Sequence, residues 1–395
     1  MLFFRKKYLD KIQPFVWKDM IKILIWQRRV WKSKLLFLIK NFLLNSWIDE
    51  NKIVFVDMEN LENEKFKDYK VFYDYVKNFD YIFVDEVQNI ENWEKAILSL
   101  QNKWKDIYIT WSNSKILSGE LATNLRWRYI EFEIFPFDYK EFLDALNFKN
   151  NKENFLKYTK FWGLPYLINL KLEEEIVYEY LKSIYSTIVL KDVVDRYKLR
   201  NYSILNRLIS YIAKNIWNIF SASNITKYLK SQKINVSTIT VLQYLSYLKE
   251  VFLLQEVKRY DLKWKKVFEM KEKYYFTDIW IRNAILGWFS PMDIGWILEN
   301  IVAVNLLSNW WKIYVWEYNN LEIDIIAEKN WEKMYIQVAY LISDENVKKR
   351  EFGNLQKIKD NWPKYVLSMD DIADGTYEGI KWVKVWEFLK YQWSK

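Results

Sequence analysis

The sequence predicts an α/β protein: a parallel sheet with flanking helices, followed by a helical module and a small mixed unit. Three observations carry that expectation. In residues 1–150 short apolar runs alternate with longer amphipathic ones, the pattern of strands joined by crossover helices. Residues 203–260 change to three successive helical patterns followed by a β-like run. The last hundred residues open on a helix and continue with several short strands. At 395 residues the chain is long enough for two or three cores.

The first strand is expected at 21–25, then a loop, then a helix over 32–44. Further strands are expected at 53–56, 81–84, 107–110 and 129–134. Residues 151–202 read as a mostly helical lid, with a loop at 161–166. In the next part helices are expected at 205–216, at 225–230 capped by Ser223, and at 238–250 started by Ser237. A β-like stretch at 252–259, a basic turn at 263–266 and a strand near 273–276 complete the order of a winged helix-turn-helix, residues 203–277. Residues 278–395 then give a helix at 297–308, strands at 313–315, 322–327 and 334–340, a helix at 345–358 and a strand at 365–368.

Composition limits the chemistry. The chain has no cysteine, which excludes disulfides, zinc–thiolate sites and thiol nucleophiles. It has no histidine, the commonest acid–base group and metal ligand. Carboxylates, lysine, arginine, hydroxyls and an oxygen-bound cation such as Mg²⁺ remain. The net charge of +9 permits contact with nucleic acid. Half of the residues are apolar, yet no uncharged apolar run approaches the roughly 18 residues of a membrane span. Residues 1–11 carry charge and lack the apolar core of a signal peptide, so a cytoplasmic protein without a membrane partner is expected.

The chain holds 22 tryptophans against 7 glycines. Together they make up about 7 % of the residues, the ordinary share of glycine alone. The excess tryptophan falls where a backbone needs glycine. Trp111 opens a turn after a strand, Trp127 lies between Arg126 and Arg128, Trp162 precedes Gly163-Leu164-Pro165, and Trp288 follows Gly287. Trp331 follows Asn330 between two strands, where Asn-Gly would be a strong hairpin signal. Trp93, on an amphipathic helix, has the context of a true tryptophan. The expectation is that UGA codons meaning glycine are translated here as tryptophan.

With glycine at 26 and 31, the stretch Trp26-Gln27-Arg28-Arg29-Val30-Trp31-Lys32-Ser33 takes the form G-x-x-x-x-G-K-S. In that loop backbone N–H groups and a helix N-terminus converge on phosphates. Lys32 would reach the β- and γ-phosphates, and Ser33 would ligate Mg²⁺ of bound ATP. An apolar strand later ends in Asp85-Glu86, with Asp85 placed to hold Mg²⁺ through water. Glu86 is placed to orient or deprotonate the attacking water. Thr110-Trp111-Ser112-Asn113, at the end of the fourth strand, offers polar groups that would sense the γ-phosphate, Asn113 among them.

These motifs, with Val84-Asp85-Glu86-Val87-Gln88 and Gly163-Leu164-Pro165, resemble a bacterial and archaeal family of AAA-superfamily ATPases. The resemblance spans essentially the whole chain. It implies an AAA ATPase, a winged helix and a C-terminal domain related to restriction-endonuclease-like folds. The chain departs from the family at the glycines, now Trp26, Trp31, Trp111, Trp127 and Trp162. The resemblance also implies an arginine after the fourth strand that reaches a neighbouring subunit's γ-phosphate; Arg128 is favoured over Arg126. A homo-oligomer or protein partner is therefore expected.

Two readings of the winged helix stand. Lys258, Arg259, Lys263, Lys265 and Lys266 suit DNA phosphates, whereas helix 238–249 carries few base-reading side chains and suits packing against protein. In the last domain Glu299, Asp324 and Gln337 resemble the PD-(D/E)XK nuclease core. Gln337-Val338-Ala339 there lacks the acid and the lysine, which points to a degenerate domain. The functional expectation is a Mg-ATP-hydrolysing switch or remodeller; the alternative is a nucleic-acid-binding regulator with a vestigial ATPase. The Trp-containing chain is expected to bind ATP poorly, because two indoles crowd the loop.

Overall fold

A computed structural model describes residues 3–112, 128–161, 163–171, 173–199, 201–215, 219–261, 266–287, 289–318 and 321–391. Asn113, Arg126, Trp127, Trp162, Trp288, Lys263 and Lys265 lie outside the described residues. The chain forms two compact units, Met1–Phe135 with Glu250–Phe252, and Pro136–Lys249 with Leu253–Lys395.

The first unit is built on five strands: β1 (Ile21–Ile25), β2 (Ile53–Asp57), β3 (Tyr81–Asp85), β4 (Asp106–Trp111) and β5 (Tyr129–Glu133). All four neighbouring pairs are parallel, in the order β2-β3-β4-β1-β5. Every residue of β1 is buried, as expected of a parallel sheet covered on both faces. That includes Lys22, whose ammonium pairs with Asp106 and donates to Lys18 O at 2.8 Å. The Tyr108 hydroxyl and the Trp17 N–H satisfy the other Asp106 oxygen. Helix α1 is Lys6–Ile12, α2 is Lys32–Asn45, α3 is Tyr69–Val76 and α4 is Trp93–Gln101.

Strand order decides where the chemistry gathers. β4 lies between β1 and β3, and Ile25 pairs with Trp111. The C-terminal ends of the three strands therefore share one edge. From β1 the chain passes into residues 26–31, from β3 into Glu86, and from β4 into Ser112.

The second unit contains helices α5 (Tyr139–Leu146), α6 (Lys152–Phe161), α7 (Glu174–Thr187), α8 (Tyr202–Lys214), α9 (Ala222–Ser231) and α10 (Thr238–Glu250). Ser221, not Ser223, caps α9, accepting from Asn224 N at 3.2 Å. The helix begins one turn earlier than its apolar spacing indicates, because Ala222 and the polar pair after it fill its first turn. Strands β6 (Ile219–Phe220), β7 (Leu254–Asp261), β8 (Lys266–Phe276), β9 (Lys312–Tyr318), β10 (Leu321–Lys329), β11 (Glu332–Val338), β12 (Lys364–Ser368), β13 (Asp374–Tyr377) and β14 (Ile380–Lys384) form one sheet. The hairpin expected as a wing, β7–β8, joins the C-terminal sheet through Arg259 opposite Val315. Helices α11 (Ile279–Leu286), α12 (Ile294–Ser308), α13 (Glu345–Gln356) and α14 (Val385–Lys390) complete the unit. β13, β14, α11 and α14 are absent from the sequence expectation. They are short elements whose apolar pattern is too brief to show a period.

The backbone bears on the tryptophans directly. Among the described residues fifteen non-glycine positions have positive φ, and six are tryptophan: 17, 31, 47, 104, 310 and 331, at φ 60–69°. A side chain with a β-carbon is disfavoured there, and glycine is not. Trp47 follows α2, with its N–H on Leu44 O and Ile48 N on Leu43 O. Trp104 follows α4, with Lys105 N on Leu100 O. Trp310 follows α12, with Trp311 N on Leu306 O. Each is the left-handed residue that closes a helix with a 6→1 bond, a position glycine dominates. Asn330 and Trp331 both have positive φ and join β10 to β11 as a two-residue hairpin turn. Trp47, Trp104 and Trp331 are 96, 80 and 98 % exposed, so their rings gain little from packing. Trp26 and Trp111 depart from this pattern. Neither has positive φ; Trp26 lies in a wholly buried aromatic cluster, and Trp111 packs on Trp93 at 5.4 Å. Trp93 is buried on α4, as a true tryptophan would be.

Candidate nucleotide site

The loop 26–31 turns sharply between β1 and α2, with Arg29 at φ 70° and Trp31 at φ 67°. Trp31 is the N-terminal cap residue of α2, so Lys32 and Ser33 fall on its first turn. Lys32 is buried, and its Nζ donates to Trp26 O at 3.0 Å and Gln27 O at 2.9 Å. The ammonium thus folds back on the carbonyls of its own loop. The Gln27 side-chain amide is buried with neither atom partnered among the described residues. Val30 is buried, its carbonyl accepting from Arg5 Nη1 at 3.1 Å, while Arg28 reaches outward to Glu59 at 2.9 Å.

Across the sheet edge Asp85 accepts from the hydroxyls of Ser33 and Thr110. Burial pushes its carboxyl above the usual range, and neighbouring Glu86 adds to that; the two hydroxyls and Lys32 oppose it. Glu86 sits in the left-handed region at φ 55°, its N–H donating to Thr110 Oγ1 at 2.8 Å. Ser112 Oγ donates to Glu86 Oε1 at 2.5 Å, and Gln88 Nε2 holds the other oxygen. Burial opposes ionisation of Glu86, but Lys32, Ser112, Arg28 and Gln88 outweigh it and keep the carboxyl below its usual range. Glu86 is therefore held as a charged carboxylate although it is buried.

Lys32, Ser33, Asp85 and Glu86 thus come together as the sequence led one to expect. Thr110, one of the polar groups expected at the end of the fourth strand, binds both members of the acidic pair. Arg128 stands apart. It is exposed, its Nη1 donating to Asn102 at 3.3 Å, and its carbonyl accepts from Ile21 N, at the opposite end of β1 from the loop. The donor set of Ser33 hydroxyl and Asp85 carboxylate suits Mg²⁺, and the loop and Lys32 suit a polyphosphate.

An AAA domain model matches residues 18–143, and a domain of unknown function (DUF8612) matches residues 152–292. An uncharacterized protein of Haemophilus influenzae is 31 % identical over 397 residues, covering 98 % of each chain. The chain belongs to that protein's family. The AAA domain is thus the part that holds the loop and the acidic pair. The uncharacterized protein MJ1544 of Methanocaldococcus jannaschii is 34 % identical over 303 residues, covering 72 % of this chain and 66 % of that one. The AMPPCP-bound DnaA of Aquifex aeolicus is a remote structural likeness. It has 15 % identity and a TM-score of 0.34, covering 62 % of this chain and 87 % of that one.

Beyond the AAA domain, a cleft of about 730 Å³ contains Glu299 of α12, Asp324 of β10 and Gln337 of β11. It also contains Lys273 of β8, which sequence reasoning missed. Lys273 Nζ lies 2.7 Å from Glu299 and 3.6 Å from Glu322, and Tyr275 Oη donates to Glu299 at 2.5 Å. Burial works against the Lys273 charge, but Glu299, Asp324 and Glu322 outweigh it and raise its pKa. Asp324 accepts from Val338 N at 2.7 Å. Burial and then Glu299 drive its carboxyl well above the usual range, against Lys273. Gln337 Oε1 is buried and has no partner among the described residues. No group of three or more acidic side chains among the described residues is arranged to hold a metal.

Proposed function

We propose that this chain is a Mg-ATP-hydrolysing AAA ATPase that acts as a switch or remodeller, with DNA as a partner. The observation that carries the reading is the strand order: β4 between β1 and β3 gathers Lys32, Ser33, Asp85, Glu86 and Ser112 on one edge. Lys32 binds phosphate there, Ser33 and Asp85 hold the cation, and Glu86 handles the proton of the attacking water. Arg128, at the far end of the sheet, serves the nucleotide of a neighbouring copy. Asn113 remains a proposed γ-phosphate sensor.

The reading includes glycine at the misread tryptophans. Six left-handed tryptophans, three of them closing helices, support it. Codons decide it: TGA at 26, 31, 111, 127 and 162, and also at 17, 47, 104, 310 and 331, with TGG at 93 is expected, and TGG throughout overturns it. Hydrolysis is tested on the chain with glycine at 26 and 31. Turnover that disappears in Lys32→Ala and Glu86→Gln is expected; no turnover in the parent overturns the ATPase reading.

Residues 203–277 are assigned to a winged helix and 278–395 to a restriction-endonuclease-like domain without nuclease activity. Between 201 and 249 the chain has six cations and no acid: Arg207, Lys214, Lys227, Lys230, Lys233 and Lys249. Those on α9 are exposed, which favours contact with nucleic-acid phosphates. A nucleic-acid-binding regulator with a vestigial ATPase is the second reading. Salt-sensitive DNA binding without turnover would favour it.

A further inference from the structure

The restriction-endonuclease-like reading of residues 278–395 implies a divalent cation held between carboxylates. The cleft that would hold it is lined by Glu299 of α12, Glu322 and Asp324 of β10, and Gln337 of β11. These residues do not fit that ion, because a buried ammonium is already among them. Lys273 Nζ lies 2.7 Å from Glu299 Oε1 and 3.6 Å from Glu322 Oε1, with the lysine side chain 2 % exposed. Tyr275, two residues on and so on the same face of β8, donates its hydroxyl to the same Glu299 oxygen at 2.5 Å. Asp324 accepts from Val338 N. Gln337 presents a neutral amide oxygen, Oε1, which is buried and has no partner among the described residues. Mg²⁺ needs a close octahedral shell of oxygens. Here an ammonium holds the shared place, and an amide stands where a further acid would.

We propose that Lys273 is the resident cation of this cleft: its ammonium stands where the divalent ion would, neutralises Glu299 and Glu322, and keeps Mg²⁺ and Mn²⁺ out. The proposal rests on the restriction-endonuclease-like reading. The lysine absent from Gln337-Val338-Ala339 is thus supplied by β8, but in another role. A lysine that helps to activate water works beside a bound metal. This one is fixed on the carboxylates that would bind the metal. A second cation there meets a positive charge that neither water nor salt screens, because the site is buried. An ammonium balances charge, but it has no open coordination position on which to acidify water or polarise a phosphodiester. The domain therefore keeps a cleft of about 730 Å³ without the ion that cutting needs.

The test titrates the nucleotide-free full chain with Mn²⁺, read by electron paramagnetic resonance and by thermal unfolding. Any Mn²⁺ at Ser33 and Asp85 is common to all variants and cancels. The unaltered chain and its Asp324→Asn variant are expected to bind Mn²⁺ alike. Lys273→Met removes the ammonium and leaves the carboxylates. It is expected to bind Mn²⁺ at least about tenfold more tightly than the unaltered chain, and Mn²⁺ is expected to raise its Tm. Adding Asp324→Asn to Lys273→Met is expected to remove both gains. Mn²⁺ held by the unaltered chain and lost in Asp324→Asn overturns the resident cation and leaves the restriction-endonuclease-like reading in place. No gain in Lys273→Met overturns the proposal and that reading with it. If Lys273→Met does not fold, Lys273→Gln, neutral and more polar, takes its place with the same expected gain. The comparison of the unaltered chain with Asp324→Asn needs no lysine variant at all.

Discussion

The Ser112 hydroxyl donates to Glu86 Oε1 at 2.5 Å, tying the end of β4 to the acid that follows β3. Glu86 is held charged in a buried place, so its orientation depends on few partners. In glycine-restored protein Ser112→Ala is expected to lower kcat about tenfold while ATP affinity changes little, since a bond to a charged group is lost. Turnover together with direct nucleotide titration checks this. An equal loss of binding would assign Ser112 to nucleotide affinity instead.

Lys32→Ala is expected to abolish nucleotide binding, whereas Glu86→Gln keeps binding and loses turnover by about 10² or more. Equilibrium binding with labelled ATP and a phosphate-release assay separate the two outcomes.

Tryptophan replacements should differ in sign. Trp47→Gly, Trp104→Gly and Trp310→Gly are each expected to stabilise the chain by about 1 kcal/mol, the cost of a β-carbon in the left-handed region. Trp93→Gly, which empties a buried site on α4, is expected to destabilise by about 3 kcal/mol or more. Urea unfolding of the four variants measures it.

Lys273→Met leaves Glu299 without its buried counter-charge. A loss of about 3 kcal/mol is expected, and Lys273→Met with Glu299→Gln should recover much of it. A double-mutant cycle by thermal unfolding decides.

Asp278 makes stability depend on pH. Its side chain is buried against Gly163, where an added β-carbon would lie 2.3 Å from Oδ2. Burial pushes its carboxyl up to about 7, against the N–H groups of Trp280 and Ile281. The unfolded value is about 3.9, so the folded state favours the proton. Its contribution is fully present below about 4 and is lost as pH rises towards 7. Glu131, pushed to about 7 by burial and by Glu133, acts with the same sign. Asp278→Asn is therefore expected to flatten, not abolish, the fall in Tm between pH 4 and 7.

Much of the nucleotide site was legible in the sequence because its parts are local. A strand, a loop of fixed length and Lys32-Ser33 lie within a dozen residues, and Asp85-Glu86 directly ends an apolar run. The tryptophans at 31 and 331 were legible for the same reason, since a phosphate loop and an Asn-x hairpin are short motifs. Trp17, Trp47, Trp104 and Trp310 were not singled out. Their need for positive φ shows only once the chain's turning at those points is known.

The sequence by itself determined the alternation of strand and helix, the phosphate loop, the acidic pair and the excess of tryptophan over glycine. Periodicity and motif spacing are properties of neighbouring residues. The tertiary structure alone decided that Thr110 and Ser112 join Asp85 and Glu86, that Lys273 meets Glu299 across 26 positions, and that Trp26 packs against Phe135 and Phe252. Those pairings follow from strand order and packing, which depend on how distant segments bury their apolar faces together.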